Sequence, residues 1–206
     1  NSINDKQTYV GFSIIGKKRI VSKRKIKKAN IYFSGKIGTA LVFSAIDNNV
    51  IEGAYSKEVI TDMTASNYEL FKILNFYRVT NITDVSGFGL ALHLNNILIR
   101  NKNLKGIEIN LKNIPLYKGA IEALKNNVKS SLNDSNKDSV FNSLEIIYEE
   151  DKRKVFNLLF DPQTAGGLIF FIDNNEELIL KNLRKKNIKY TLIGKTLNTN
   201  RKIRIK

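Results

Sequence analysis

An acid followed by two glycines at the start of an apolar helical pattern suits a phosphate and its metal. Thr83-Asp84-Val85-Ser86-Gly87-Phe88-Gly89-Leu90 has that form. A helix N-terminus presents unpaired N–H groups and a partial positive charge, and glycine lets a phosphate approach the backbone. A carboxylate beside it, here Asp84, can hold the Mg²⁺ that accompanies the phosphate. Taken alone, the segment reads equally as a tight turn at Gly87 and Gly89 with Asp84 capping the helix. A second segment, Asp161-Pro162-Gln163-Thr164-Ala165-Gly166-Gly167-Leu168, fixes one backbone angle with proline and frees two with glycine just before an apolar run. In isolation it too reads as a structural loop whose Asp and Thr bond their own backbone.

The elements that must position these segments follow from hydrophobic period. Residues 79–83 form a short strand, and a helix from Gly89 to about Arg100 carries Leu90, Leu94, Ile97 and Leu98 on one face. Upstream, Val10, Phe12 and Ile14 alternate as a strand, Ile31 to Phe33 form another, and the basic stretch between them is a hairpin connection. Ile37, Leu41, Val42 and Ala45 give a helix one apolar stripe. A helix over 57–77, carrying Val59, Ile60, Met63, Leu70, Ile73 and Leu74, breaks near Thr64 to Asn67.

Downstream, a strand spans 106–111, and a helix over 116–126 enters through Pro115 with Ile121 and Leu124 among its apolar positions. Residues 129–138, rich in Ser and Asn without an apolar period, read as a loop, and 144–148 as a strand. A strand over 168–172, a helix over 174–186 capped by Asp173, and a strand over 190–195 complete the chain. The close mixing of strands and helices predicts one α+β domain over 1–206, with a mixed or antiparallel sheet and flanking helices.

Composition limits the partners. With 206 residues, 42% of them hydrophobic, the chain can bury a sizeable core. No cysteine is present, which excludes disulfides, thiolate metal ligands and a cysteine nucleophile. The longest apolar runs fall far short of the roughly 20 residues a bilayer needs, so a soluble, cytoplasmic protein is expected. Asn1 in place of Met, with strand pattern close behind, suggests a piece of something longer. The net charge is +15, but only Lys17 to Lys28, with eight basic residues in twelve, forms a patch. Without interleaved aromatics such a patch offers phosphate contacts and no base stacking, so nucleic acid is not the expected partner.

The two segments together resemble the selenophosphate synthetase (selenide, water dikinase) family. The first is similar to that family's Thr-Asp-Val-Thr-Gly-Phe-Gly-Leu-x-x-His-Leu pattern, matched from Thr83 through His93 and Leu94 with Ser86 in place of Thr. The second resembles Asp-Pro-Gln-Thr-Ser-Gly-Gly-Leu-Leu, about seventy-five residues on as in the family's C-terminal half. Ser34-Gly35-Lys36-Ile37-Gly38-Thr39 stands where a Thr-Lys-Pro-Ile-Gly-Thr-Gly element is expected. Departures are Gly35 and Lys36 for Lys-Pro, Ala40 for the last Gly, and Ala29-Asn30 for Gly-Asp. Met63 to Asn67 and Ser130 to Asn136 look more like relatives fused to a flavin-dependent oxidoreductase.

The resemblance implies a C-terminal domain of the aminoimidazole ribonucleotide synthetase-like superfamily, whose N-terminal half supplies the phosphate cradle and nucleophile-handling residues. It implies ATP and Mg²⁺ as cofactors, selenide as phosphoryl acceptor, and a homodimer. Asp84 is then the carboxylate lent to the metal. Thr83, Ser86, Gly87 and Gly89 shape the ATP or phosphate surroundings, with Gly38 and Thr39 as further candidates. No catalytic residue is expected in this portion, which alone is expected to hydrolyse no ATP. Two rivals stand beside this reading: a diverged domain serving a fused oxidoreductase, and a basic nucleic-acid-binding module without catalysis. His93, the one histidine, is expected at the edge of the core rather than in the chemistry.

Overall fold

In a computed structural model the described residues are 13, 15, 28–79, 81–147, 153–198 and 201–206, with the side chain of residue 153 excepted. Val10, Phe12 and Ile14 of the expected first strand and nearly all of the basic stretch 17–28 lie outside them.

A run of alternating faces builds the middle of the sheet. In β1 (Asn30–Phe33), Ile31 and Phe33 enter one apolar core while Tyr32 enters a second on the opposite face. β5 (Leu168–Ile172) does the same, with Ile169 and Phe171 on the first side and Leu168, Phe170 and Ile172 on the second. Side chains alternate across a strand, so a strand apolar at every position must be covered on both faces. β1 pairs antiparallel with β5 and with β6 (Thr191–Thr196), and β5 pairs antiparallel with β2 (Ile82–Asp84). The far side adds β3 (Ile107–Ile109), β7 (Ile203–Ile205) and β4 (Leu144–Ile146), the last two joined by parallel pairings. The result is a seven-stranded mixed sheet in the order β2-β5-β1-β6-β3-β7-β4, which makes the chain α+β.

Helices close both faces. α1 (Thr39–Asp47) buries Leu41, Val42 and Ala45, and α4 (Gly89–Arg100) buries Leu90, Leu94, Ile97 and Leu98, all in the larger core. α3 (Tyr68–Phe76) and α8 (Glu176–Lys185) cover the other face through Leu70, Leu74, Ile179 and Leu183. α2 (Ser56–Thr64) ends where the break was expected. α5 spans Lys118–Lys125, starting beyond Pro115, and α7 spans Arg153–Leu158.

Three expectations are corrected. Residues 129–138 are largely helical, as α6 (Asn133–Val140), because its buried face includes amides: Asn133 and Asn136 donate to backbone carbonyls at 2.8 and 2.9 Å. An amide stripe carries no hydrophobic period, so the pattern hid it. Asp173 does not cap α8; Asn175 occupies that position in the left-handed region, φ 55°, without a side-chain cap bond. Ile60 and Ile121 are 49% and 46% exposed and lie outside the buried stripes assigned to them. Among the described residues no helix is long and apolar enough to cross a membrane.

Ile169 and Phe171 are 0% and 1% exposed, as an interior strand requires. Replacing a buried Phe by Ala removes its transfer energy and leaves a cavity. Phe171→Ala is expected to lower unfolding free energy by about 3–5 kcal/mol, read as a reduced urea midpoint at unchanged slope.

Candidate functional site

The two glycine segments, far apart in sequence, are neighbours on the sheet. Asp84 is the last residue of β2 and faces Leu168 in register, and Val85 N–H donates to Gly167 O at 3.1 Å. The Asp84 side chain is exposed, as are Gly87 and Phe88, so the turn from β2 into α4 presents an open rim. Gly89 lies at φ 75°, and a β-carbon there would meet Leu159 O and Phe160 C at 2.8 Å. That position therefore needs glycine both for its conformation and for its closeness to the backbone ahead of the second segment.

His93 supports the turn from below. Ser86 N–H donates to His93 Nε2 at 3.1 Å, and because an N–H can only donate, the imidazole is neutral with its proton on Nδ1. Nδ1 faces Thr83 Oγ1 at 3.5 Å, and Ser86 Oγ lies 3.3 Å from Nε2. Burial holds the His93 pKa below 6.5, Asp84 opposing this and Arg100 reinforcing it. Ser86 O accepts from Gly89 N–H at 2.9 Å and from Gln163 N–H at 3.2 Å. Asn136 ties the turn from α6, donating to Gly87 O and Phe160 O, both at 2.9 Å.

The third segment meets the second at Gln163, which is 2% exposed. Its Oε1 accepts from Gly38 N–H at 3.1 Å, Thr39 N–H at 3.2 Å and Thr39 Oγ1 at 3.2 Å. Its Nε2 donates to Asp161 O at 2.8 Å and Asp161 Oδ2 at 2.9 Å. Thr39 is 1% exposed and its hydroxyl also reaches Pro162 O at 2.9 Å. The amides of Gly38 and Thr39 thus already have an internal acceptor, whereas Asp84, Gly87 and Phe88 face outward. Beside them Gly35 and Gly167 touch backbone to backbone: a β-carbon on Gly35 would lie 2.7 Å from Gly167 N. Lys36 anchors this segment to α2 through Glu58 at 2.8 Å and Asp62 at 3.1 Å. Burial alone would lower its pKa, but the two carboxylates outweigh that and hold it raised.

Thr83, Asp84, Ser86, Gly87 and Gly89 therefore share one turn, while Gly38 and Thr39 start α1 on the other side of Gln163. Sequence reasoning passed over Gln163 and Asn136 as ties; the Pro-Gln-Thr between an acid and two glycines was the available signal for the first. Among the described residues no group of three or more His, Cys, Asp or Glu could hold a metal, so Asp84 offers a single carboxylate. One carboxylate fits Mg²⁺, which keeps several waters and takes phosphate oxygens for the rest.

The family description "AIR synthase related protein, C-terminal domain" matches residues 35–206. The chain belongs to this family. The selenide, water dikinase of Campylobacter jejuni (strain RM1221) is 28% identical over 205 residues, covering 96% of this chain and 57% of that protein. That of Treponema denticola is 26% identical over 199 residues, covering 95% of this chain and 55% of that protein. This AIR synthase-related domain thus spans just over half the length of those relatives. Among solved structures, a HypE–HypF complex matches with TM-score 0.57 at 13% identity over 90% of this chain and 51% of that one. Thiamine monophosphate kinase from Aquifex aeolicus matches with TM-score 0.54 at 14% identity over 90% and 52%. These two show the shared fold.

Two outcomes are expected. Gln163→Glu replaces the Nε2 donor with an acceptor facing Asp161, and is expected to cost about 1–3 kcal/mol in urea unfolding, less at pH 5 than at pH 8. The depressed His93 pKa makes the neutral ring part of the fold, so its contribution is present above 6.5 and is lost as pH falls through the lower folded value. NMR titration of the imidazole is expected to give a midpoint below 6.5; a midpoint above it would remove the neutral ring from the turn.

Proposed function

We propose that this domain is the C-terminal half of an ATP- and Mg²⁺-dependent phosphotransferase making selenophosphate from selenide and ATP, in the cytoplasm and as a homodimer. The observation that carries the reading is Asp84, an exposed carboxylate ending an edge strand at the mouth of a glycine turn. The similarity to selenide, water dikinases along nearly the whole chain supports it.

Mg²⁺ bound there would neutralise charge on the phosphates as the phosphoryl group moves. The work of this chain's own residues is positioning. Neutral His93 and Asn136 hold the backbone of the turn at Ser86 and Gly87, and Gly89 brings α4 against the Phe160 backbone. That rigidity keeps the Asp84 carboxylate in one place, which electrostatic catalysis needs because reorganising charge costs energy. Thr83, Ser86, Gly87 and Gly89 line the same turn, whereas Gly38 and Thr39 act through Gln163 as its foundation.

A single carboxylate is a partial site, so the domain alone is expected to hydrolyse no ATP. Combined with the N-terminal half, it is expected to bind Mg–ATP, and Asp84→Asn to weaken that binding by roughly tenfold or more while leaving the fold intact. Isothermal calorimetry of both reconstituted proteins reads this directly. Equal affinities would take Asp84 out of the site.

A further inference from the structure

The end of the sheet that carries Asp84 also opens into a cleft of about 820 Å³. It lies where β1 finishes and β5 and β6 begin, with Phe33 level with Ile169 on one side and Thr191 on the other. Pockets for small organic ligands run from roughly 300 to 1,000 Å³. The cleft therefore has room for an organic molecule rather than a lone ion.

Its two charged walls differ in balance. On the first, Lys36 is held by Glu58 at 2.8 Å and Asp62 at 3.1 Å, and the Tyr117 hydroxyl also bonds Asp62. Cation and acids there answer one another. On the second, the stretch from the last turn of α8 to the start of β6 supplies Arg184, Lys189 and Tyr190. Arg184 Nη1 donates to Tyr190 Oη at 3.0 Å, which holds the guanidinium beside the cleft and engages one of its five N–H donors. Among the described residues neither Arg184 nor Lys189 pairs with a carboxylate, and the Tyr190 hydroxyl proton has no protein acceptor. Arg184 also complements the C-terminal end of the α8 dipole, but Lys189 lies four residues past that helix and has no such duty.

A wall made only of donors calls for a ligand rich in acceptors. A phosphate monoester brings three oxygens and about −1.5 to −2 charges at neutral pH, and its bonds to guanidinium and ammonium are charge-assisted. The surface between the two walls suits an organic body: Pro115 and Ile188 are apolar, Tyr117 offers a ring, and Gly35, Gly166 and Gly167 leave the backbone bare.

We propose that this cleft is a binding site for a small organic phosphate monoester, its phosphate taken by Arg184, Lys189 and the Tyr190 hydroxyl and its body lying toward Tyr117 and the glycine loop. The loop is the wall shared with the Asp84 turn. Gly167 O accepts from Val85 N–H at 3.1 Å, and a β-carbon on Gly166 would lie 2.3 Å from Val85 O. An occupant therefore bears on the backbone next to Asp84. The site uses none of the residues assigned to Mg²⁺ or ATP, so either assignment can fail without the other.

The test is backbone amide NMR of the full chain in magnesium-free buffer, titrated with phenyl phosphate against phenol and inorganic phosphate at matched ionic strength. Expected are saturable shifts over residues 184–191 and 165–167 with phenyl phosphate, saturation with inorganic phosphate only at about tenfold higher concentration, and no response to phenol. Arg184→Gln and Lys189→Gln, at exposed positions, are each expected to weaken binding by about tenfold and together to abolish it, while Asp84→Asn leaves it unchanged. Equal saturation by inorganic phosphate would overturn the proposal in favour of a bare anion. An undiminished response in the double variant, shifts centred on residues 84–89 instead, or no response to phenyl phosphate would each overturn it outright.

Discussion

A primary amide accepts at one end and donates at the other, and the fold around the candidate site depends on Gln163 being used both ways at once. The start of α1 offers two amides that converge on Oε1, and the single proton of the Thr39 hydroxyl is shared between Oε1 and the closer Pro162 O. Asp161 offers only acceptors, and Nε2 serves two of them. Buried, such a junction is strong because each group it satisfies would otherwise be costly. Its geometry fixes the path of the chain from Asp161 to Gly167. That path presses Gly167 against Gly35, sets Gly167 O in front of Val85 N–H, and so places β2 and the carboxylate at its end.

Amides recur wherever the chain needs adhesion without apolar side chains. Asn133 and Asn136 seat α6, Asn67 donates to Gly166 O at 3.2 Å from the break between α2 and α3, and Asn182 reaches the Tyr77 hydroxyl at 2.6 Å. Each replaces part of a hydrophobic contact by directional bonds to groups already placed by the fold. An apolar contact tolerates sliding; these bonds do not, and three of the residues, Asn67, Asn136 and Gln163, bear on the glycine turns.

What was legible in the sequence follows from this division. β1, β5, α1 and α4 were readable because their apolar residues keep the period of the element, and the turn at Asp84 because its two glycines stand directly before the apolar stripe of α4. α6 was not, since its buried face is largely asparagine, and β7 was hidden in a basic tail where Ile203 and Ile205 alone are buried. The convergence of three segments on one glutamine could not be seen either, because pairing of β5 with both β1 and β2 is a tertiary fact. The resemblance grouped Gly38 and Thr39 with the Asp84 turn, and the structure shows that Gly38 and Thr39 hold Gln163 while Asp84 faces outward.

The sheet order has a consequence for biosynthesis. β1 is an interior strand, yet both of its neighbours, β5 and β6, come near the end of the chain, with Asn30 opposite Ile172 and Lys195. At synthesis rates of about 5–20 residues per second, the roughly 140 residues between β1 and β5 take on the order of 7–28 s to appear. Throughout that interval the Ile31–Phe33 segment carries unpaired backbone edges and apolar faces, the kind of strand that aggregates when left open. Assembly of the middle of the sheet is therefore largely post-translational, slowed by the closure of a long loop, and the nascent chain is a natural client for chaperones until β5 arrives.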